Sequence, residues 1–187
     1  MSTLDNPQME PANASPQQTI IRFGMIGGLV LIIYSLVNFV FGLSKPSAGA
    51  ALGYLNFAIV VAIYVLIMVY AVRDHRDANQ NGFITFGKAF TVAFLTSLVA
   101  AVINSVFAYL YIHMIDPGYI NEILESSEEF YEKSGFSEQQ IEVSLDWAKW
   151  MMEGKGQLII FAVGTFFGAI LSLIVGYSMK KDPPVFG

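Results

Sequence analysis

Long uncharged blocks alternate with short polar ones along this chain. Phe23–Leu43, Leu52–Val72, Ala89–Ile115 and Gln157–Met179 contain no Asp, Glu, Lys or Arg. About 20 helical residues, at 1.5 Å rise each, cross a hydrocarbon core of about 30 Å. All four blocks reach that length, and none shows the polar face that a helix on a soluble core would carry. The pattern predicts an all-α, polytopic membrane four-helix bundle with an extracytoplasmic helical hairpin between spans three and four.

The predicted transmembrane helices are residues 20–43, 52–72, 89–115 and 157–179. Between them lie a short outer loop (44–51), a basic cytoplasmic loop (73–88) and an acidic extracytoplasmic segment (116–156). A tail at 180–187 follows the last span. The leading residues 1–19 are rich in Pro, Asn, Gln and Ser and poor in large apolar groups, so they read as a disordered cytoplasmic tail. Ala48 and Ala50 form an A-x-A arrangement after the first span, but a signal peptide wants a basic leader and a shorter apolar region. The first span is therefore expected to be retained.

Orientation follows from Lys and Arg, which the cytoplasmic side retains during insertion. If the spans alternate, Arg22, Arg73, Arg76, Lys88, Lys180 and Lys181 share one side. The other side has Lys45 and, in 116–156, ten acids against Lys133, Lys149 and Lys155. The expectation is a bacterial inner membrane protein with both termini cytoplasmic and the acidic segment outside.

That segment has a pattern of its own. Asp116-Pro117 ends the third span, because proline disfavours helix in the residue before it. Ile120, Ile123, Leu124, Phe130 and Tyr131 then recur at helical spacing among glutamates, up to a stop at Gly135. Ser137 and Gln140 match a capping box, after which Ile141, Leu145, Ala148 and Met152 make one face of a second helix. Trp147 and Trp150 stand just ahead of the fourth span, at the headgroup level where aromatic rings anchor. The second helix is expected to rest on the membrane surface before the chain turns in at Gly154 and Gly156.

Composition narrows the function classes. Apolar and aromatic residues make up 55% of the chain and charged ones 13%, against about 25% charged in soluble domains. With no cysteine and two histidines there is no thiolate site and little material for a metal centre. No basic patch interleaved with aromatics points to nucleic acid. No cofactor is expected.

Small residues recur every fourth position in two spans: Ala89, Ala93, Ser97, Ala101 and Ser105, then Gly164, Gly168, Ser172 and Gly176. Gly24 and Gly28 repeat the spacing in the first span. Such grooves let helix backbones approach closely in lipid, and the expected use is internal packing, with a dimerisation face as the alternative. The polar residues within spans are Asn38, Asn56, Thr96, Asn104, Ser105 and Thr165. Asn38 and Asn104 are expected to hydrogen-bond across helices. No charged residue joins them, so a proton relay lacks its usual components.

Two constellations invite a chemical reading. His113 with Asp116 and Glu122 would offer one imidazole and two carboxylates to a divalent metal, against the commoner interfacial histidine satisfied by a carbonyl. The outer acids contain no ordered calcium loop and read as a solvated face. In the basic loop, RDHRDANQNGFITFGKAF, the cluster Asn79–Gly82 signals a turn. His75 between Asp74 and Asp77 resembles an acid–base set, but no nucleophile or oxyanion partner stands nearby. Arg73, His75, Arg76 and Lys88 are expected instead to contact lipid headgroups or a partner.

A GMIGGL-like first span, H-R-D followed by N-G-F-I-T-F-G-K-A-F, the Y-I-H-M-I-D-P close of span three, and an acidic segment with F-S-E-Q-Q-I occur together here. The combination resembles the bacterial family catalogued as domain of unknown function four-one-nine-nine, over about residues 20 to 180. The resemblance implies the four-span topology and no catalytic residue. It also points to a membrane glycosyltransferase as one class of partner. The reading is a non-enzymatic inner-membrane accessory or scaffold protein, in contact with the lipid bilayer and binding a membrane-protein partner, or its own copies, through the acidic outer hairpin, the basic inner loop or both. The alternative is a small oligomeric transporter or channel component. An interfacial lipid or glycolipid enzyme is disfavoured.

Overall fold

Ser15 opens the first helix: its side chain accepts from the Gln17 amide at 3.3 Å, and Pro16 takes the first helical position, where a missing N–H costs nothing. The computed structural model describes residues 15–182. In it α1 covers Pro16–Phe41, so Pro16 to Thr19 belong to a helix and not to the tail; residues 1–14 of that tail lie outside the described residues. Gly42, at φ +63, ends α1 with its amide on Asn38 and Phe39 carbonyls. A short 3-10 turn, Pro46–Ala48, leads to α2 at Ala50–Asn79.

The basic loop is shorter than its charges suggest. Arg73, His75 and Arg76 lie in the last turns of α2, and Lys88 lies in the first turn of α3, Phe86–Leu110. Only residues 80–85 connect the two helices, turning at Asn81 (φ 52) and Gly82 (φ +83). Ile84 then forms an isolated antiparallel bridge with Lys181, each amide donating to the other's carbonyl at 2.9 Å. This ties the turn to the far end of the chain.

After Leu110 the helix widens into a π turn, Tyr111–Ile115, closed by the Asp116 amide on the Tyr111 carbonyl at 2.8 Å. Next come α4 (Tyr119–Lys133) and α5 (Glu138–Met152), whose capping box is made by Ser137 and Gln140. α6, Gly154–Met179, starts three residues ahead of the fourth uncharged block. Gly154 (φ +51) makes the turn between α5 and α6, and a Cβ at Gly156 would run into the Trp150 carbonyl. Helix accounts for 86% of the structure, without a strand among the described residues. Four of the six helices are long and apolar enough to cross a membrane.

α2 and α3 each pack against both α1 and α6, so the latter two flank the central pair. α4 and α5 form a hairpin, with α5 against α6 and α4 against the 3-10 turn. The close-packed core is off centre. Ile20, Met68, Ala71, Val72, Ile84, Ala89, Val92, Ala93 and Val175 form it, all toward the end where α1 and α3 begin and α2 and α6 finish. We call this the basic end, and the opposite one, carrying the hairpin, the acidic end.

Candidate functional site

The basic end gathers Arg22, Arg73, Arg76, Lys88, Lys180 and Lys181 against Asp74, Asp77 and Asp182. Asp74 is engaged by Arg22, Nη2 to Oδ1 at 2.6 Å, and by the Thr19 hydroxyl at 3.4 Å. Asp77 is shared by Arg76 at 2.7 Å and Arg73 at 3.6 Å. Lys180 and Lys181 stand over the rings of Tyr177 and Phe83, at 5.1 and 5.3 Å from the centroids. Among the described residues Lys88 meets only a neutral acceptor, its Nζ donating to Gln80 Oε1 at 3.1 Å. Arg73 and Lys88 are exposed, as a headgroup contact requires, and Arg76 is half-buried.

His75 differs from its expected role. It is 2% exposed and sits in the wall of a cleft between α1, α2 and α3, not on the open surface with the other basic residues. Its Nδ1 has no hydrogen-bond partner among the described residues; Thr96 Oγ1, deeper in α3, is the other buried atom in that position. Above the imidazole lies an open cleft of about 300 Å³, walled by His75 and Gln80 from α2 and its turn, Gly87 and Lys88 from α3, and Ser15 and Pro16 from α1. The first turns of two long helices therefore line one cleft, which continues along the next turn of α3 at Thr91 and Val92 and lies near the positive ends of both helix dipoles.

α3 also begins without a side-chain cap: Thr85 makes no capping hydrogen bond. Ala89 is the first residue in it whose amide finds a backbone acceptor, the Thr85 carbonyl at 3.0 Å. The amides of Phe86, Gly87 and Lys88 are the orphan donors that every helix start leaves.

The acidic end is knit differently. Tyr34 donates to Asn56 Oδ1 at 2.6 Å, Asn56 Nδ2 to the Leu43 carbonyl at 2.8 Å, and Ser35 to Asn104 Oδ1 at 3.0 Å. Asn104 thereby bonds across helices, α1 to α3, whereas Asn38 does not: it donates back to the Tyr34 carbonyl at 2.9 Å and accepts from Ser44 at 3.2 Å. These amides line a second groove, of about 270 Å³, with Leu31, Phe39 and Tyr64 among its walls. Its hydrogen bonds run mainly between its own walls, which fits helix fixing.

Beyond the groove, Phe39, Tyr111 and Tyr119 pack ring to ring, with centroids 4.5 to 5.9 Å apart. Burial, with Tyr111, Glu122 and Asp116 adding to it, pushes the Tyr119 phenol up to about 12. Lys45 Nζ bonds Glu122 at 2.6 Å, and Ser126 bridges to Ser47 by two hydrogen bonds, at 2.7 and 3.0 Å. His113 is turned onto the Tyr109 carbonyl at 3.0 Å, and no cluster of metal-binding side chains occurs among the described residues. Trp147 and Trp150 form an edge-to-face pair, 61% and 44% exposed.

Of the small-residue positions, Gly24 and Gly28 are tightest. A Cβ there would fall 2.6 and 2.7 Å from Val99 and Ile103, and Gly27, absent from the predicted stripe, is as close to Ile67. Ser97 and Ser172 are buried, and Gly176 faces the Phe90 backbone at 3.0 Å. Ala101 is half-buried. A Cβ at Gly168 would lie 3.6 Å from the Ser97 hydroxyl, an ordinary contact, and one at Gly164 would meet nothing within 4 Å, so Gly164 leaves the expected groove.

No curated protein and no solved structure matches the chain. The sequence model of a family described as "Protein of unknown function (DUF4199)" matches residues 22–181. Since that match takes in all four long helices, the turn beneath the basic cleft and the acidic hairpin, the chain belongs to the DUF4199 family.

Proposed function

We propose that this is a bacterial inner-membrane protein that crosses the bilayer four times, with both termini and the basic end in the cytoplasm. In this reading it is a non-enzymatic accessory or scaffold protein, and the hairpin α4–α5 on the far side docks a membrane-protein partner. The observation that carries the reading is a rigidly seated hairpin with an uncovered apolar face. Lys45–Glu122, the Ser47–Ser126 pair and the contact of α5 with α6 fix its pose. Phe136, Val143, Trp147 and Trp150 nonetheless stay between 43% and 61% exposed. The asymmetry of cations between the two ends supports the orientation. Amides and hydroxyls bonded to one another support a structural role for the interior.

Two experiments test this. Single cysteines at Gln80 and Ser134 are exposed to an impermeant thiol reagent in intact spheroplasts, and only the one at Ser134 labels; labelling at Gln80 alone reverses the orientation. Replacing Gly118–Lys149 by a short Gly/Ser linker leaves the four spans inserted and abolishes co-purification of a stoichiometric partner from native membranes. A deleted protein that keeps its partner and its biological activity would move the function to the four long helices or the basic end. A homo-oligomer that carries flux in liposomes would support a transporter instead.

A further inference from the structure

We propose that the cleft at the basic end binds a phosphate group, held by Lys88, the orphan amides at the start of α3 and the buried ring of His75. The site goes beyond the accessory reading and needs no protein partner. Three independent features converge on it. The first is electrostatic: α1 and α3 both begin at the cleft, and helix N-termini favour anions through their dipoles and free N–H groups. Lys88 adds a full charge that no carboxylate neutralises among the described residues, since Gln80 is its only hydrogen-bond partner there.

The second is the glycine at position 87. Its backbone has no left-handed strain, and a Cβ there would meet nothing within 4 Å, so neither conformation nor packing calls for glycine. What the missing side chain leaves is open space beside the first turn of α3, on the side where Gly87 and Lys88 line the cleft and a phosphate oxygen can come onto the helix start.

The third is His75, walling the cleft at 2% exposure with an unpartnered Nδ1. A buried polar atom normally has a partner. With the proton on Nδ1, the neutral ring donates to a phosphate oxygen and resolves that deficit. Donors from two elements, α2 and α3, then serve one anion. A cleft of about 300 Å³ admits a phosphorylated headgroup as readily as free phosphate.

The test uses the full chain in maltoside detergent, which carries no phosphate. Three probes are titrated at constant ionic strength: inorganic phosphate, dioctanoyl phosphatidic acid, and dioctanoylglycerol as the phosphate-free lipid. Melting temperature and the rate of Lys88 acetylation are followed. A phosphate-bearing probe should raise the melting temperature saturably and slow the acetylation, and dioctanoylglycerol should do neither. Lys88→Gln and Gly87→Val should each weaken that binding roughly 10-fold or more, the scale of one hydrogen bond to a charged group. Both should melt like the parent without probe, so that lost binding is not mistaken for misfolding. Response to both phosphate probes identifies a site open to soluble phosphate, and response to phosphatidic acid alone a lipid headgroup site. Equal response to dioctanoylglycerol, no saturable response, or a response that survives both substitutions overturns the proposal.

Discussion

At the basic end Met68, Ala71, Val72, Ala89 and Ala93 are wholly buried, whereas at the acidic end Tyr34, Ser35, Asn38, Asn56 and Asn104 hold the same helices by hydrogen bonds around a shallow groove. The difference shows two ways of joining helices that share an apolar solvent. Apolar side chains from several helices can interlock and gain dispersion contacts, which need no polar atom. At the acidic end amides and hydroxyls tie the helices instead, each requiring a partner because hydrocarbon offers none. The close-packed end carries the buried histidine and its cleft, and the hydrogen-bonded end carries the hairpin.

The largest expected effect comes from emptying the close-packed end. Met68→Ala removes a side chain of zero exposure and should lower stability in mild detergent by about 2–5 kcal/mol. Phe57→Ala, near the acidic end and 66% exposed, should cost less than about 0.5 kcal/mol. Equal losses, read by equilibrium unfolding of both variants, would erase the distinction between the two ends.

Alkaline pH should then weaken the acidic end selectively. The Tyr119 phenol is raised from 10.0 to about 12, so the neutral form is favoured in the folded state. Its stabilisation is complete below pH 10, the unfolded value, and is lost as pH rises toward 12. At about 1.4 kcal/mol per unit, the loss is at most about 3 kcal/mol, and less to the extent that water screens the phenolate. Tyr119→Phe keeps the ring against Phe39 and Tyr111 and should remove this decline. Melting curves of the two proteins between pH 9 and 12 should diverge; parallel curves would mean that the phenol ionises without disturbing the knot of rings.

The parts of this architecture that the sequence made legible are those with a single physical use. Uncharged runs longer than 20 residues fit a membrane span, and Ser137 with Gln140 fits one cap. The rest depended on neighbours. Charges at Arg73 to Asp77 suggested a loop, yet no Gly or Pro interrupts the chain from Tyr54 to Asn81, and the helix simply continues to Asn79. That missing breaker was the available signal. His75 was expected at the surface because burial is decided by how α1 and α3 close over α2, which no local pattern records.

The four-residue stripes pack at one end and leave the packed face gradually at the other, for a geometric reason. At 3.6 residues per turn, a step of four advances about 40° around the helix, so successive members drift off any one face. Ser172 and Gly176 are buried, Gly168 is in ordinary contact, and Gly164 is open. The α1–α3 seam sharpens the point, since Gly28→Leu would drive a side chain into Ile103, already 2.7 Å from a Cβ. That variant should lose about 1–3 kcal/mol, and Gly164→Leu should change neither melting nor oligomeric state. A loss at Gly164 and none at Gly28 would place the critical seam on α6.

The smallest expected effect tests the hydrogen bonds of the acidic end directly. Tyr34 and Asn56 join α1 to α2 at 2.6 Å, and Asn56 also holds the Leu43 carbonyl at 2.8 Å, so single substitutions mix the two contacts. A double-mutant cycle separates them: Tyr34→Phe, Asn56→Leu and the pair are compared with the parent by equilibrium unfolding. Tyr34→Phe strips one hydroxyl and leaves the ring, and Asn56→Leu replaces an amide by an apolar group of similar size. The coupling should be about 0.6 kcal/mol and not above about 1.7 kcal/mol, because the unfolded chain in a membrane or micelle also finds partners for these groups. The same cycle at the basic end, on the exposed pair Arg22 and Asp74, should give a smaller coupling that falls with salt. A salt-insensitive coupling of several kcal/mol at Arg22–Asp74 would reverse the comparison, making polar contacts the principal tie of the close-packed end. A coupling near zero at Tyr34–Asn56 would leave the ring contacts of Phe39, Tyr111 and Tyr119 as the tie of the acidic end.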